Sequence, residues 1–210
     1  MKNKFPDKIP VFPLNGVIFF PKTNLPLNIF ENRYLDLVND TMKKDKLMGM
    51  IQSKQNSNDV YNVGCLGKIS DYQKAEDNRI IVNLTGVTRF EIKNEILGKK
   101  KYREFEVNYD RFENDLNINN DEILKIDELE FFIEKTKKFF KRNGLILNWK
   151  EFQKLDQNQQ VNTLAMIAPI SNEEKQKLLE TITTKDKKKT LINIIDFYFY
   201  ENNLEKTTIQ

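Results

Sequence analysis

The sequence predicts an α+β protein in two parts: a barrel-like β-sheet with one interposed helix over residues 1–115, then a bundle of α-helices over residues 116–210. Turn signals are dense in the first part, since five of the seven glycines and five of the six prolines lie before residue 90. In the second part, apolar residues recur at the spacing of an α-helix. Because the connection over 111–121 is short, we expect the two parts to pack against each other.

Three short extended segments and one helix are predicted near the start of the chain. The extended segments are 9–12, 17–20 and 25–30. Asn15 and Gly16 form a tight-turn dipeptide between the first two, because both residues tolerate positive φ. Pro21 and Pro26 cannot donate a backbone hydrogen bond, so we expect these strands to be irregular or to lie at a sheet edge. Over 31–43 the apolar period changes to 3.6, which predicts a helix whose buried face is formed by Tyr34, Leu35, Val38 and Met42.

Strands return between residues 47 and 110. The predicted strands are 47–52, 63–73, 79–84, 88–92 and 102–109. Residues 75–78 are typical of a hairpin turn, and we expect Gly86 to interrupt the chain between two of the strands. Alternating apolar and polar residues over 102–109 indicate a half-buried strand. Six or seven strands with one helix favour a small barrel.

Four helices are predicted in the second part: 121–142, 157–168, one opened by Ser171, and 185–200. The predicted apolar stripe of the first helix consists of Ile123, Ile126, Leu129 or Phe132, Ile133 and Phe140, and the third helix runs through Leu178, Leu179 and Ile182. Asn143 and Gly144 supply a stop for the first helix, and Pro169 ends the second. Ser171 with Glu174 forms a capping box. Lysines at 185 and 187–189 lie at the N-terminus of the last helix, where the helix dipole disfavours positive charge. Either these lysines contact an acidic group or the protein tolerates the cost.

The composition argues against most catalytic chemistry. Histidine is absent, which removes the usual general base and the commonest metal ligand. Residues 64–70 resemble a phosphate loop only superficially, because the first glycine and the Ser or Thr after Lys68 are missing. We expect Cys65 to be buried, and the open alternative is a Ser-Lys hydrolase that would use Ser53, Ser57, Ser70 or Ser171. The sequence therefore predicts no catalytic residue, no metal site and no cofactor.

Cysteine usage and hydropathy predict the cellular compartment of the protein. One cysteine cannot form an internal disulfide, which fits a reducing cytoplasm. No secretory leader is recognisable, and no apolar run approaches the length of a membrane helix. The net charge of +3 is too small to indicate a protein that binds nucleic acid electrostatically. We expect a cytoplasmic protein without a membrane segment.

Several stretches together resemble one known family. They are 10–21 (PVFPLNGVIFFP), 25–34 (LPLNIFENRY), 63–69 (VGCLGKI), 84–90 (LTGVTRF), 148–150 (NWK), 162–166 (NTLAM), 169–171 (PIS) and 174–180 (EKQKLLE). They resemble the N-terminal, substrate-binding domain of Lon proteases, and more closely the free-standing Lon N-terminal-domain proteins of bacteria. The resemblance implies a PUA-like pseudobarrel followed by helices, and recognition of polypeptide without catalysis. It also implies that the AAA+ motor and the Ser-Lys peptidase of Lon have no counterpart here.

The function that this resemblance implies is the binding of unfolded or specific protein segments, which would be delivered to a separate ATP-dependent protease. The predicted peptide contacts are Phe19, Phe20, Pro21, Phe30, Arg33, Tyr34 and Arg89. The aromatic residues would supply apolar area to the peptide, or would instead form a core wall. The two arginines would bind a carboxylate or a main-chain carbonyl of the peptide. Alternatively, Arg33 would pair with Glu31 or Asp36 nearby in its own helix, and Arg89 would be a charge on a strand surface.

An RNA-associated protein is the alternative function, because PUA-like folds elsewhere bind RNA. Its candidate contacts are the run Lys99, Lys100 and Lys101 and the lysine cluster at 185–189. The nearly neutral charge and the lack of a basic strand face interleaved with aromatic residues argue against it. The client, the partner protease and the oligomeric state have no signature in the sequence.

Overall fold

The computed structural model describes residues 5–116 and 124–207, with side chains as far as residue 200. The chain divides into two compact units, Met1–Asn119 and Asn120–Gln210. In the described residues, the first unit contains six β-strands, one α-helix and a 3-10 helix, and the second contains five α-helices. The predicted α+β class, a pseudobarrel with one helix followed by helices, is confirmed.

The first unit, here called the β unit, is built on one sheet. Its strands are β1 (Lys8–Leu14), β2 (Asn24–Ile29), β3 (Leu47–Gln52), β4 (Val63–Lys74), β5 (Ile80–Ile96) and β6 (Arg103–Asn108). They lie in the order β2-β5-β4-β3-β1-β6, and β6 also pairs with β5. Five strands therefore close into a ring, and β2 is attached to it along the first half of β5. Only the β1–β3 pairing among these is parallel.

Apolar side chains of the ring strands fill the interior of the barrel. The buried cluster consists of Ile9, Val11, Ile51, Leu66, Phe90, Phe105, Val107 and Tyr109. The alternation predicted for 102–109 is confirmed in β6, where Phe105 and Val107 are buried. Burial raises the pKa of the Tyr109 phenol, whose hydroxyl donates to the carbonyl of Pro6 at 2.8 Å.

Gly86 does not interrupt the chain, and that prediction was wrong. Strand β5 runs through it without a break from Ile80 to Ile96. A Cβ at this position would overlap the backbone carbonyl of Phe20. Gly86 N donates to Thr23 O, and Lys22 N donates to Gly86 O, both at 2.9 Å. The glycine lets a second backbone segment approach the strand closely, which is a recognised use of glycine inside strands.

The predicted extended segment 17–20 is not a strand. Gly16 turns the chain with a φ of +89°, as its place in the turn dipeptide predicts. The segment then runs without ladder pairing to Pro21 and Lys22, and Thr23 closes a turn by donating its hydroxyl to Phe20 O at 2.7 Å. The expectation of irregular structure around Pro21 is confirmed, and Pro26 lies in β2, a strand that pairs only with β5 in the described sheet.

Helix α1 (Asn32–Met42) follows β2 and confirms the predicted helix. It buries Tyr34, Leu37, Val38 and Thr41. The predicted face was centred too far round the helix, because Leu35 and Met42 are only half-buried. After β6 the chain forms a 3-10 helix, Asp110–Asp115, which buries Phe112.

The second unit, here called the helical unit, contains α2 (Ile126–Arg142), α3 (Trp149–Phe152), α4 (Gln157–Ile167), α5 (Asn172–Glu180) and α6 (Thr184–Thr207). The predicted start of the first helix, 121–123, lies outside the described residues. Gly144 has a φ of +70° after α2, which confirms the predicted stop. The capping box of Ser171 and Glu174 is present, and a second one joins Asp156 and Gln159.

Two details of the helical unit differ from the prediction. Ile126, placed on the apolar stripe of α2, is exposed, and the buried stripe there is formed by Phe132, Thr136, Phe139 and Phe140. Ile182 lies beyond the end of α5 and is also exposed. In the part of the chain that the structure describes, no helix is both long and apolar enough to cross a membrane.

Candidate functional site

The β unit carries an open groove of about 1280 Å³ on its surface. One wall is the end of β1 with the turn after it, residues 12–15. A second part of the lining runs from the end of β2 into the first turn of α1, over residues 27–34. The loop 53–59 and the pair Glu95 and Arg103, on β5 and β6, complete the lining.

Aromatic side chains form one part of the apolar lining of the groove. Phe30, between β2 and α1, is 67% exposed, although it belongs to a bulky apolar residue type. Tyr34 lies one helical turn further on and is buried, with its ring 4.0 Å from that of Phe12. Burial raises the pKa of the Tyr34 phenol. The groove thus combines a fixed aromatic pair with one aromatic residue that water reaches.

The loop 53–59 is tied down at its base. Ser53 N donates to Leu14 O at 3.2 Å, and Lys54 N donates to Asp59 O at 2.8 Å. Asn56 has a φ of +56°, a conformation that asparagine tolerates better than most residues. Between these points the loop presents short polar side chains to the groove, so this wall offers hydrogen-bonding groups instead of apolar area.

Two arginine–carboxylate pairs lie at the groove. Arg103 and Glu95 make two parallel hydrogen bonds of 2.6 Å, and Arg103 Nη1 also donates to Asn58 O at 2.9 Å. These contacts raise the pKa of Arg103 and lower that of Glu95. Arg33 bonds Glu31 through Nε and Nη2 at 3.0 and 2.9 Å, and its guanidinium lies 4.5 Å from the Tyr34 ring centroid.

Of the seven predicted contact residues, three lie together at the groove: Phe30, Arg33 and Tyr34. They are close because β2 passes directly into α1, so their separation in sequence is short. The predicted alternative for Arg33, a pair with Glu31, is also present. Both roles are compatible, because this exposed pair can exchange its carboxylate for another one.

The other four predicted contact residues are buried and offer no surface to a peptide in this structure. Phe19, Phe20 and Pro21 belong to the segment outside the strands that passes close to β5 at Gly86. Arg89 is 2% exposed and bonds Asp115 through Nε at 2.9 Å and Nη2 at 2.7 Å, with its guanidinium 4.2 Å from the Phe112 ring centroid. Neither a peptide contact nor a strand-surface charge describes Arg89 here, because Asp115 holds it inside the unit.

The sequence predicted a polar loop over 55–58, but it did not assign this loop, Glu95 or Arg103 to the site. The loop had a usable signal, because it is a run of Ser, Asn, Lys and Gln between two strands. Glu95 and Arg103 had none, since their contact depends on the antiparallel register of β5 and β6, in which Glu95 pairs with Phe105.

The residues considered for catalysis have structural contacts. Cys65 is buried, with Sγ 3.6 Å from Leu66 O. Ser70 donates its hydroxyl to Asn83 O at 3.0 Å, and Ser171 caps α5. No group of three or more carboxylate, cysteine or histidine side chains able to hold a metal ion occurs among the residues that the structure describes.

Comparison with known proteins decides the family. Residues 8–196 match the model of the ATP-dependent protease La (LON) substrate-binding domain. The chain belongs to the Lon substrate-binding domain family. The resemblance seen in the sequence is therefore confirmed over nearly the whole chain.

Relatives and solved structures agree with this family. The chain is 25% identical over 209 residues to a Lon protease of Syntrophus aciditrophicus, covering 92% of this chain and 25% of that protein. It is 30% identical over 99 residues to a Lon protease of Desulfosudis oleivorans, covering 44% of this chain and 12% of that one. The chain spans about a quarter of the length of the first relative, so the match excludes the motor and peptidase parts of Lon from these 210 residues.

The fold is shared with a Lon N-terminal domain protein from Xanthomonas campestris, with a TM-score of 0.66 at 20% identity over 89% of this chain and 97% of that one. It is also shared with the N-terminal domain of Mycobacterium avium complex Lon protease, with a TM-score of 0.61 at 14% identity over 90% and 98% of the two chains.

Proposed function

We propose that this protein is a non-catalytic polypeptide-recognition module and that the groove of the β unit binds an extended protein segment. The observation that carries the proposal is the exposure of Phe30 at a groove of about 1280 Å³ in a domain of the Lon substrate-binding family. Large exposed apolar side chains at a concave surface are typical of binding sites.

The groove has groups suited to each part of a peptide. Phe30 offers apolar area to a hydrophobic side chain, and aromatic anchors commonly dominate binding energy. The polar side chains of the loop 53–59 suit the peptide main chain, which carries one donor and one acceptor at each residue except proline. Arg33 suits a carboxylate, because its partner Glu31 is itself exposed and replaceable.

A wider role follows from the family. We propose that the bound segments are unfolded or specific protein clients, that a separate ATP-dependent protease receives them, and that the module works in the reducing cytoplasm. The single cysteine supports that location, and the family description supports proteins as ligands.

RNA association is less well supported. In the lysine run at 99–101, Lys100 pairs with Asp40, which also accepts from Tyr102 Oη at 2.8 Å. Lys101 lies 4.0 Å from Asp36. Part of the positive charge available to a phosphate backbone is therefore already balanced within the protein.

The test is a titration of a fluorescent, carboxymethylated polypeptide that cannot refold, at about 50 mM and about 200 mM salt, with a length-matched RNA as competitor. We expect saturable binding that changes little between the two salt concentrations and that RNA does not displace. Displacement by RNA together with a loss of affinity of about 1,000-fold across that salt range would instead establish phosphate recognition. Absence of polypeptide binding would contradict the proposal.

A further inference from the structure

The helical unit carries a second concave site, a pocket of about 450 Å³ between the N-terminal parts of α2 and α6. We call it the lysine pocket. It is lined by Phe131, Ile192, Lys185, Lys188, Lys189, Asp127 and Glu128. All of these residues belong to the helical unit, so the lysine pocket is separate from the groove and does not depend on its proposed role.

The floor of the lysine pocket is apolar. Helix α2 buries Phe132 and Phe139, but Phe131 is 61% exposed and faces the pocket beside the half-buried Ile192. A large apolar side chain left in water lacks the stabilisation that burial would give it. An exposed phenylalanine that lines a cavity is therefore a natural contact for an apolar side chain of a ligand.

The rim of the lysine pocket is charged and has a cationic excess. Lys188, which is buried, pairs with Glu128 at 2.6 Å, and this bond lowers the pKa of Glu128. The exposed Lys185 and Lys189 share the lining with one further carboxylate, Asp127, so the pocket has three lysines and two carboxylates. These lysines lie in the first two turns of α6, where the helix dipole adds positive potential. The sequence-based alternative of merely tolerated charge is too simple, since Lys188 contacts an acidic group and Lys187 donates to Asn162 at 2.6 Å.

We propose that the lysine pocket is a docking site for an acidic polypeptide segment that places one large apolar side chain on Phe131 and Ile192. The carboxylates of the bound segment would face Lys185 and Lys189, and this charge complementarity would select the partner. A volume of about 450 Å³ is at the small end of ligand sites, which suits a single side chain with its flanking residues. Asp127 and Glu128 at the same rim disfavour a continuous phosphate backbone, so a protein segment fits better than nucleic acid.

The experiment uses the full chain and three fluorescent peptides of equal length. The first carries one Phe flanked by Asp and Glu, the second has Lys in place of the acidic residues, and the third has Ala in place of the Phe. Fluorescence polarisation at low salt measures the dissociation constants. We expect the first peptide to bind at least about tenfold more tightly than either of the others, because each lacks one of the two complementary features.

Matched variants locate the binding. Lys189→Glu and Phe131→Ser are expected to weaken the first peptide at least about fivefold, in line with the loss of one charge pair or one apolar contact. The controls are Lys138→Glu, an exposed lysine on the same α2, and Ile146→Ser, an exposed apolar residue outside the lining, and both should keep the wild-type affinity. Phe30→Ser reports on the groove instead, because a first peptide that loses affinity in Phe30→Ser and not in Lys189→Glu or Phe131→Ser would be bound there and not at the lysine pocket.

Three results would overturn the proposal. They are no measurable binding of the first peptide, equal binding of all three peptides, and pocket variants that behave like the controls. A single-stranded RNA that displaces the acidic peptide, and that loses its own affinity in Lys189→Glu, would assign the lysine pocket to nucleic acid instead. Because all substituted residues are exposed, circular dichroism and thermal unfolding should show that each variant is folded.

Discussion

Two arginine–carboxylate pairs of the β unit have similar lengths and opposite surroundings. Arg89 and Asp115 approach to 2.7 Å with side chains that are 2% and 10% exposed. Arg33 and Glu31 approach to 2.9 Å with side chains that are 54% and 46% exposed. The first pair is shielded from solvent, and separating it would leave a buried charge without its partner. The second pair is exposed to solvent, so each side chain can exchange its partner at little cost. Burial, and not residue type, separates a structural arginine from one available to a ligand.

The same difference divides the predicted contact residues. Phe19, Phe20, Pro21 and Arg89 lie on the buried side of the β unit, and Phe30 and Arg33 lie on the open side at the groove. Substitutions on the buried side should therefore change stability, and substitutions on the open side should change binding.

The largest effect is expected at the buried pair. Asp115→Ala leaves the Arg89 guanidinium buried without this carboxylate, and we expect the free energy of unfolding to fall by about 3–5 kcal/mol. Glu31→Ala, the matched change in the exposed pair, should cost less than about 1 kcal/mol. Urea denaturation measures both, and equal effects of the two substitutions would break the comparison.

Gly86→Ala should have the next largest effect. The added Cβ would overlap the carbonyl of Phe20, and neither backbone can move away without disturbing the crossing of 20–23 over β5. We expect a loss of about 1–3 kcal/mol in the free energy of unfolding, as for other overpacked sites. Gly98→Ala is the control, because no atom lies within 4 Å of a Cβ there. A harmless Gly86→Ala would mean that segment 20–23 is not held against the strand.

A smaller, pH-dependent effect is expected for Glu95→Gln. The bond to Arg103 lowers the pKa of Glu95 in the folded protein below its ordinary value of 4.5. The pair therefore stabilises the fold above about pH 4.5, and this contribution is lost as the pH falls through the lowered pKa. The wild type should exceed Glu95→Gln in stability by at most about 1 kcal/mol at pH 7, because both side chains are partly exposed.

The control for this pH dependence is Glu76→Gln, an exposed glutamate in the hairpin turn. Thermal unfolding at pH 7 and in acid measures the difference for each substitution. A difference between wild type and Glu95→Gln that grows in acid would contradict the assignment of the pair as stabilising.

Features with local causes were predictable from the sequence. Strand β3 has the predicted bounds, Asn78 of the hairpin turn has a φ of +66°, and the capping box at Ser171 is formed. Each depends on residues a few positions apart, whose propensities and hydrogen bonds act within one element.

Features that depend on distant contacts were not predictable. From sequence alone, Gly86 is equally compatible with a turn and with a strand, and the reason for the glycine is the close approach of the Phe20 backbone. Arg89 cannot be told from an exposed strand arginine by sequence, because its partner Asp115 is 26 positions away. At the groove, Phe30, Arg33 and Tyr34 could be grouped because they are neighbours in sequence. Glu95 and Arg103 join them only through the register of β5 and β6.

The most direct test of the central claim compares two exposed apolar residues of the β unit. Phe30 lines the groove, whereas Leu97, which is 94% exposed, does not. Both Phe30→Ser and Leu97→Ser should leave the free energy of unfolding within about 0.5 kcal/mol of the wild type. With the labelled unfolded polypeptide as ligand, we expect Phe30→Ser to raise the dissociation constant at least about tenfold and Leu97→Ser to leave it unchanged. Equal affinity of Phe30→Ser and wild type would contradict polypeptide recognition at the groove.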